Sequence, residues 1–121
     1  MSGAYQTFII DTPPVAGDMT LSVVSQVASY EFPENAYLVV KQNAYAFTPG
    51  NWYTHKGAIS TNKVIVSGFT LPANDDACYV IVRRQIYQSP DDFTINYGDN
   101  SVNFLSGLGL NGQIAYVKAY A

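Results

Sequence analysis

Apolar residues in this chain recur at every second position or in short β-branched runs, and nowhere keep a helical spacing over a useful length. Candidate strands are residues 5–10 (YQTFII), 19–24 (MTLSVV), 36–41 (AYLVVK), 62–68 (NKVIVSG) and 77–84 (ACYVIVRR). They continue with residues 92–97 (DFTINY), 101–105 (SVNFL) and 113–120 (QIAYVKAY), and a further short strand takes in NWYTH at 51–55. Turn formers separate them: Thr12-Pro13-Pro14, Gly17-Asp18, Phe32-Pro33, Pro49-Gly50, Leu71-Pro72, Ser89-Pro90 and Asn111-Gly112. Only residues 23–32 (VVSQVASYEF) leave room for a helical turn, which Pro33 would end, and they are otherwise loop. The pattern is that of an all-β chain, an antiparallel β-sandwich or β-barrel of about 7–9 short strands.

At 121 residues the chain is long enough for one self-sufficient domain, residues 1–121. Charged residues make up 12% of it, about half the usual share, and ten tyrosines and six phenylalanines add aromatic surface. Two readings fit: a tyrosine-rich β-domain with a polar, uncharged surface, or a surface covered by other chains. The net charge is −3, and the six cations (Lys41, Lys56, Lys63, Arg83, Arg84, Lys118) form no cluster able to neutralise a run of phosphates. Nucleic acid is therefore not an expected partner. A single cysteine, Cys78, excludes an internal disulfide framework. No apolar stretch approaches the ~18 residues of a membrane span, so membrane insertion is not expected. The opening MSGAYQTFII lacks the features of a signal peptide, which points to a protein made and kept in a cytoplasm. Apolar residues fall on both faces of 5–10 and 113–120, and the last strand runs to the final residue; both features point to an oligomer.

Two overlapping segments, 36–84 and 78–120, share a plan. Each opens on an apolar strand ending in a basic residue and glutamine (Lys41-Gln42; Arg83-Arg84-Gln85). Each continues through a proline to aromatic residues (Pro49 to Trp52-Tyr53; Pro90 to Phe93), then a polar turn, an Asn/Val strand and a closing strand. The stretches DFTINYGDNSVNF and NGQIAYVKAY, and more loosely VIVSGFTLPANDDACYVIV and TPPVAGDMTLSVV, resemble the short β-repeats of bacteriophage virion structural proteins. Those are capsid decoration proteins, head and tail fibres, and spikes. The sequence departs from that pattern at Val40-Lys41-Gln42-Asn43, which lacks Asx-Gly, and at Asn74-Asp75-Asp76, which replaces Gly-Asp. The resemblance implies a non-enzymatic virion protein, made in the host cytoplasm, that assembles with itself as a trimer and with other virion proteins.

Adjacent carboxylates, Asp75-Asp76 and Asp91-Asp92, point to opposite faces of an extended chain, which suits turn caps and solvated edges better than a calcium shell. No metal or other cofactor is expected. The acids flank turns, the one histidine, His55, has no Ser-centred elbow for a partner, and Cys78 sits inside an apolar strand; no catalytic residues are expected. Trp52, Tyr53 and His55, in the stretch PGNWYTHKG between strands, are candidates for stacking on a host surface glycan, with Asn51 and Lys56 as polar neighbours. The alternative role for Trp52 is to plug one end of the sandwich or anchor an interface. Arg83 and Arg84 are expected on opposite faces of a strand end, where a solvated edge is the simpler reading and the alternative turns one of them inward or toward a partner, within reach of a carboxylate such as Asp91 or Asp92. With Tyr116 and Tyr120 of the last strand they complete the candidate interface set. Gly98-Asp99-Asn100 is expected as a three-residue hairpin loop.

Overall fold

The computed structural model describes residues 7–10, 36–41, 43–48 and 50–120, with Thr7 and Phe8 as backbone alone. The expected strand at 19–24, the helical turn or loop at 23–32 and the Pro-x-x-Gly-Asp turn before them lie outside these residues. Ten strands are described, all in antiparallel ladders: β1 Thr7–Ile10, β2 Tyr37–Val40, β3 Asn43–Ala46, β4 Trp52–Ala58, β5 Lys63–Ile65, β6 Cys78–Val82, β7 Gln85–Gln88, β8 Phe93–Asn96, β9 Ser101–Phe104 and β10 Ile114–Tyr120. A single 3-10 turn, Asp75–Ala77, precedes β6. The strands form three sheets, ordered β1-β2-β3, β4-β10-β6-β7 and β5-β9-β8. Stacked open sheets make this the sandwich of the two expected architectures.

The four-stranded sheet is the middle layer. All five residues of β6 are buried, and successive side chains of a strand point to opposite faces, so both faces of the sheet must be covered. Cys78, Val80 and Val82 join Val64, Phe93, Val102, Phe104, Ala115 and Val117 in one apolar cluster against the β5-β9-β8 sheet. Tyr79 and Ile81 face the other way, into a cluster with Ile9, Leu38, Val40 and Tyr45 of the β1-β2-β3 sheet. At about 25 cal/mol per Å² of apolar surface removed from water, two such faces are the main stabilising contribution a β-strand can make.

Two of the ten strands, β3 and β7, had no sequence signal, because their turns break the usual chemistry. Val82 pairs with Gln85, so Arg83 and Arg84 alone make the turn between β6 and β7. Both have positive φ (51° and 64°), as a type I′ turn requires. Neither arginine lies on a strand with a face to choose, which corrects their expected placement on opposite faces; both are exposed at a hairpin tip, as the solvated reading had it. Lys41 (φ 51°) opens the equivalent turn between β2 and β3, and Thr61-Asn62 (φ 54° and 58°) closes the bridge between Ser60 and Lys63. The loop between β8 and β9 also differs from expectation. Asn96 pairs with Ser101, leaving a four-residue loop that includes Tyr97, with Asn100 in the left-handed conformation.

A side chain with a Cβ pays roughly 1–2 kcal/mol to sit in the left-handed region. Replacing the turn by Arg83→Asn with Arg84→Gly is expected to stabilise the protein by about 1–2 kcal/mol. Chemical denaturation of the double variant would show it as a higher midpoint at unchanged slope.

Candidate functional site

The segment holding Trp52, Tyr53 and His55 is strand, as the pattern of NWYTH suggested. It belongs to β4, which pairs with β10 over seven residues from Trp52↔Tyr120 to Ala58↔Ile114. The pleat then separates the three aromatic candidates. Trp52 faces the β1-β2-β3 sheet, while Tyr53 and His55 face the opposite side.

Trp52 is surrounded. Its ring meets Tyr79 (5.4 Å), Tyr120 (5.3 Å) and Tyr45 (6.3 Å) edge-on, and Phe47 at 5.3 Å in a tilted arrangement. Its indole Nε1–H donates to the Ala46 carbonyl at 2.8 Å. Such edge-to-face contacts add about 0.5–1.5 kcal/mol per pair beyond area burial, and they commit the half-buried indole to packing within the protein. Tyr120 is part of the same cluster, and Tyr116 lies next to Lys56, whose ammonium sits 5.7 Å from its ring centre.

Tyr53 is 45% exposed and stacks on Phe69 at 5.4 Å with 26° between the rings. Together with Gly68, Thr70, Ala119 and Tyr120 they line an open groove of about 320 Å³. The 66–71 segment that carries Phe69 is held by Asn100, whose left-handed backbone aims its amide into the loop. Asn100 Nδ2 donates to the carbonyls of Val66 and Phe69, each at 2.9 Å, and its Oδ1 accepts the Leu71 N–H at 2.8 Å. The Asn100 carbonyl also accepts the Val66 N–H at 2.9 Å. One residue thus replaces a missing strand partner. His55 adds a second tie: its Nδ1 accepts the Ser67 N–H at 3.3 Å, with Ser67 Oγ 3.5 Å away. The ring lies over Gly57, where a Cβ would stand 2.9 Å from Nε2 and 3.4 Å from Val64.

The carboxylates are structural in a way their sequence positions did not suggest. Asp76, expected at a solvated turn, is only 4% exposed. It accepts from Asn43 Nδ2 at 2.6 Å and from the Tyr45 hydroxyl at 2.5 Å, and that hydroxyl in turn accepts from Asn74 at 3.3 Å. Its neighbour Asp75 pairs with Lys41 at 3.0 Å and accepts from Ser89 Oγ at 2.9 Å. Burial, and then the bond to Asp76, push the Tyr45 phenol well above its ordinary range. Asp92, also buried, accepts the Gln88 N–H at 2.9 Å and closes the turn around Pro90. Asp99 pairs with Lys63 and accepts from Ser101 Oγ, and these contacts hold its carboxyl below the usual range. Each of these four aspartates is thus held by bonds within the fold, and among the described residues no three His, Cys, Asp or Glu side chains gather as a metal site would need.

Tyr45, Phe69, Asn100 and the burial of Asp76 were not foreseen. For Asp76 a signal existed: it stands two residues before a strand that is apolar at every position. Nothing in the sequence ties Asn100 to a loop some thirty residues earlier. Comparison with protein-family models, curated proteins and solved structures found no match to the chain.

Two outcomes follow from this geometry. Asn100→Ala is expected to cost about 2–4 kcal/mol, since it strands two carbonyls and an N–H, and hydrogen exchange should speed selectively at Val66 and Leu71. Burial pushes the Cys78 thiol up to about 12, from about 8.5 in an unfolded chain. Its stabilising contribution is therefore complete below pH ~8.5 and is lost as pH rises toward the folded value, at up to about 1.4 kcal/mol per pH unit. Denaturation curves should show that decline in the native protein and a shallower one in Cys78→Ala.

Proposed function

We propose that the chain is a non-enzymatic structural protein of a bacteriophage particle, a capsid decoration or cement protein or a component of a fibre or tail. It works by joining sheets and aromatic surfaces, its own to those of identical chains and to other virion proteins. The observation that carries this reading is the placement of Trp52. The one indole of the chain is committed to packing between layers, as in a protein whose task is to hold shape. Large apolar side chains remain at the surface in Tyr53, Ile65, Tyr97, Leu105 and Ile114, where contacts with neighbours would cover them. The resemblance of 92–104 and 111–120 to virion β-repeats supports the choice of particle, and a trimer follows from that resemblance alone. Among the described residues no helix is long and apolar enough to cross a membrane.

A second reading, recognition of a host surface glycan, moves from Trp52 to the Tyr53–Phe69 groove, because that is where an aromatic face meets solvent. Sedimentation of the purified chain separates the two. Self-association with no signal on a glycan array is expected, and Trp52→Ala should lower stability by about 3–5 kcal/mol. A monomer at every concentration, with glycan binding lost in Tyr53→Ala and the fold intact, would overturn the structural reading in favour of the second.

A further inference from the structure

The β1-β2-β3 sheet is attached to the rest of the protein in an unusual way. None of its strands forms a ladder with a strand of either other sheet. Among the described residues every strand before residue 47 belongs to it, and every strand after residue 51 belongs to the other two. Among the described strands, the connection from β3 to β4 at residues 47–51 is therefore the one that joins the layer to the body. It turns back on itself through the Asn51 N–H bond to the Thr48 carbonyl (3.2 Å), with Gly50 at φ +88°.

The contact between layer and body is made by side chains and is specific. Its apolar part sets Leu38, Val40 and Tyr45 against Tyr79 and Ile81. Its polar part is the clasp: Lys41 and Asn43 from the hairpin and Tyr45 from β3, received by Asp75 and Asp76. Buried Asp76 accepts only a surface that brings two donors to it, and an arbitrary apolar face would leave its charge uncompensated. The chemistry that fits the body is thus another copy of the same layer.

We propose that copies of this chain join by exchanging the β1-β2-β3 layer. The connection at 47–51 opens, and the layer of one chain docks on the Tyr79–Ile81 face of another. The contacts described between layer and body are remade between chains, with the 47–51 connection as the hinge. This deepens the self-association reading and rests on it.

The test uses two full-length variants, Lys41→Asp and Asp75→Lys, each of which sets like charges together in its own closed form. Exchange pairs the K41D layer with the D75K body, and an unaltered Lys41 with an unaltered Asp75. Refolded together at about 1 mM, near the effective concentration a short linker imposes within one chain, the mixture should regain the wild-type emission of Trp52 and run at twice the monomer mass. Emission equal to the mean of the two separate samples, with monomer mass throughout, would overturn the proposal. Deleting Gly50 and Asn51 tests it independently of the clasp. The shortened connection cannot make the return turn, so an obligate dimer with native Trp52 emission is expected, and a monomer of any kind counts against exchange. If the wild type associates while neither arm exchanges, layer exchange falls and self-association stands. If the arms exchange while the wild type stays monomeric at working concentrations, the layer is exchangeable and the assembly reading falls.

Discussion

Everything in this fold follows from the need to cover β6 twice. Five consecutive apolar side chains cannot all be hidden by one neighbouring layer, because the pleat sends Cys78, Val80 and Val82 one way and Tyr79 and Ile81 the other. The strand lies inside its own sheet, between β10 and β7, and so has no free edge. The other two sheets are the covers that its composition demands.

The two covers are attached by different physics. The β5-β9-β8 side is closed by aliphatic and phenylalanine packing, and its loops are tied down by backbone surrogates such as Asn100. Its contacts are non-directional, and their strength scales with area. The β1-β2-β3 side carries tyrosines, an indole and a buried carboxylate, all of which need partners in defined directions. The first interface gives the molecule cohesion, and the second gives it discrimination over what docks there.

Period-two patterning made the all-β class legible, and the central runs CYVIV, FTIN and SVNF are strands where the pattern placed them. What stayed hidden has a common cause. β3 and β7 follow turns that place Lys41 and Arg83-Arg84 in the left-handed region, which such residues ordinarily avoid, so the usual Asn-Gly or Asp-Gly signal was missing. Trp52, Tyr53 and His55 read as a cluster in one dimension, and the pleat of β4 divided them between two faces. The carboxylate pair at 75–76 read as solvated because adjacent acids usually are. Its partners arrive from a hairpin more than thirty residues away, and no local pattern encodes such a meeting.

Asn100 carries a liability that its geometry makes visible. Its amide faces two carbonyl oxygens and uses both N–H bonds on them. Asparagine followed by serine, as Ser101 follows here, is open to slow loss of that amide nitrogen. Deamidation would turn a double donor into an anionic acceptor opposite two other acceptors, and attraction would become repulsion. The 66–71 loop, and the Tyr53–Phe69 groove it supports, thus carry a chemical clock: an ageing event at one amide would be felt across the whole groove.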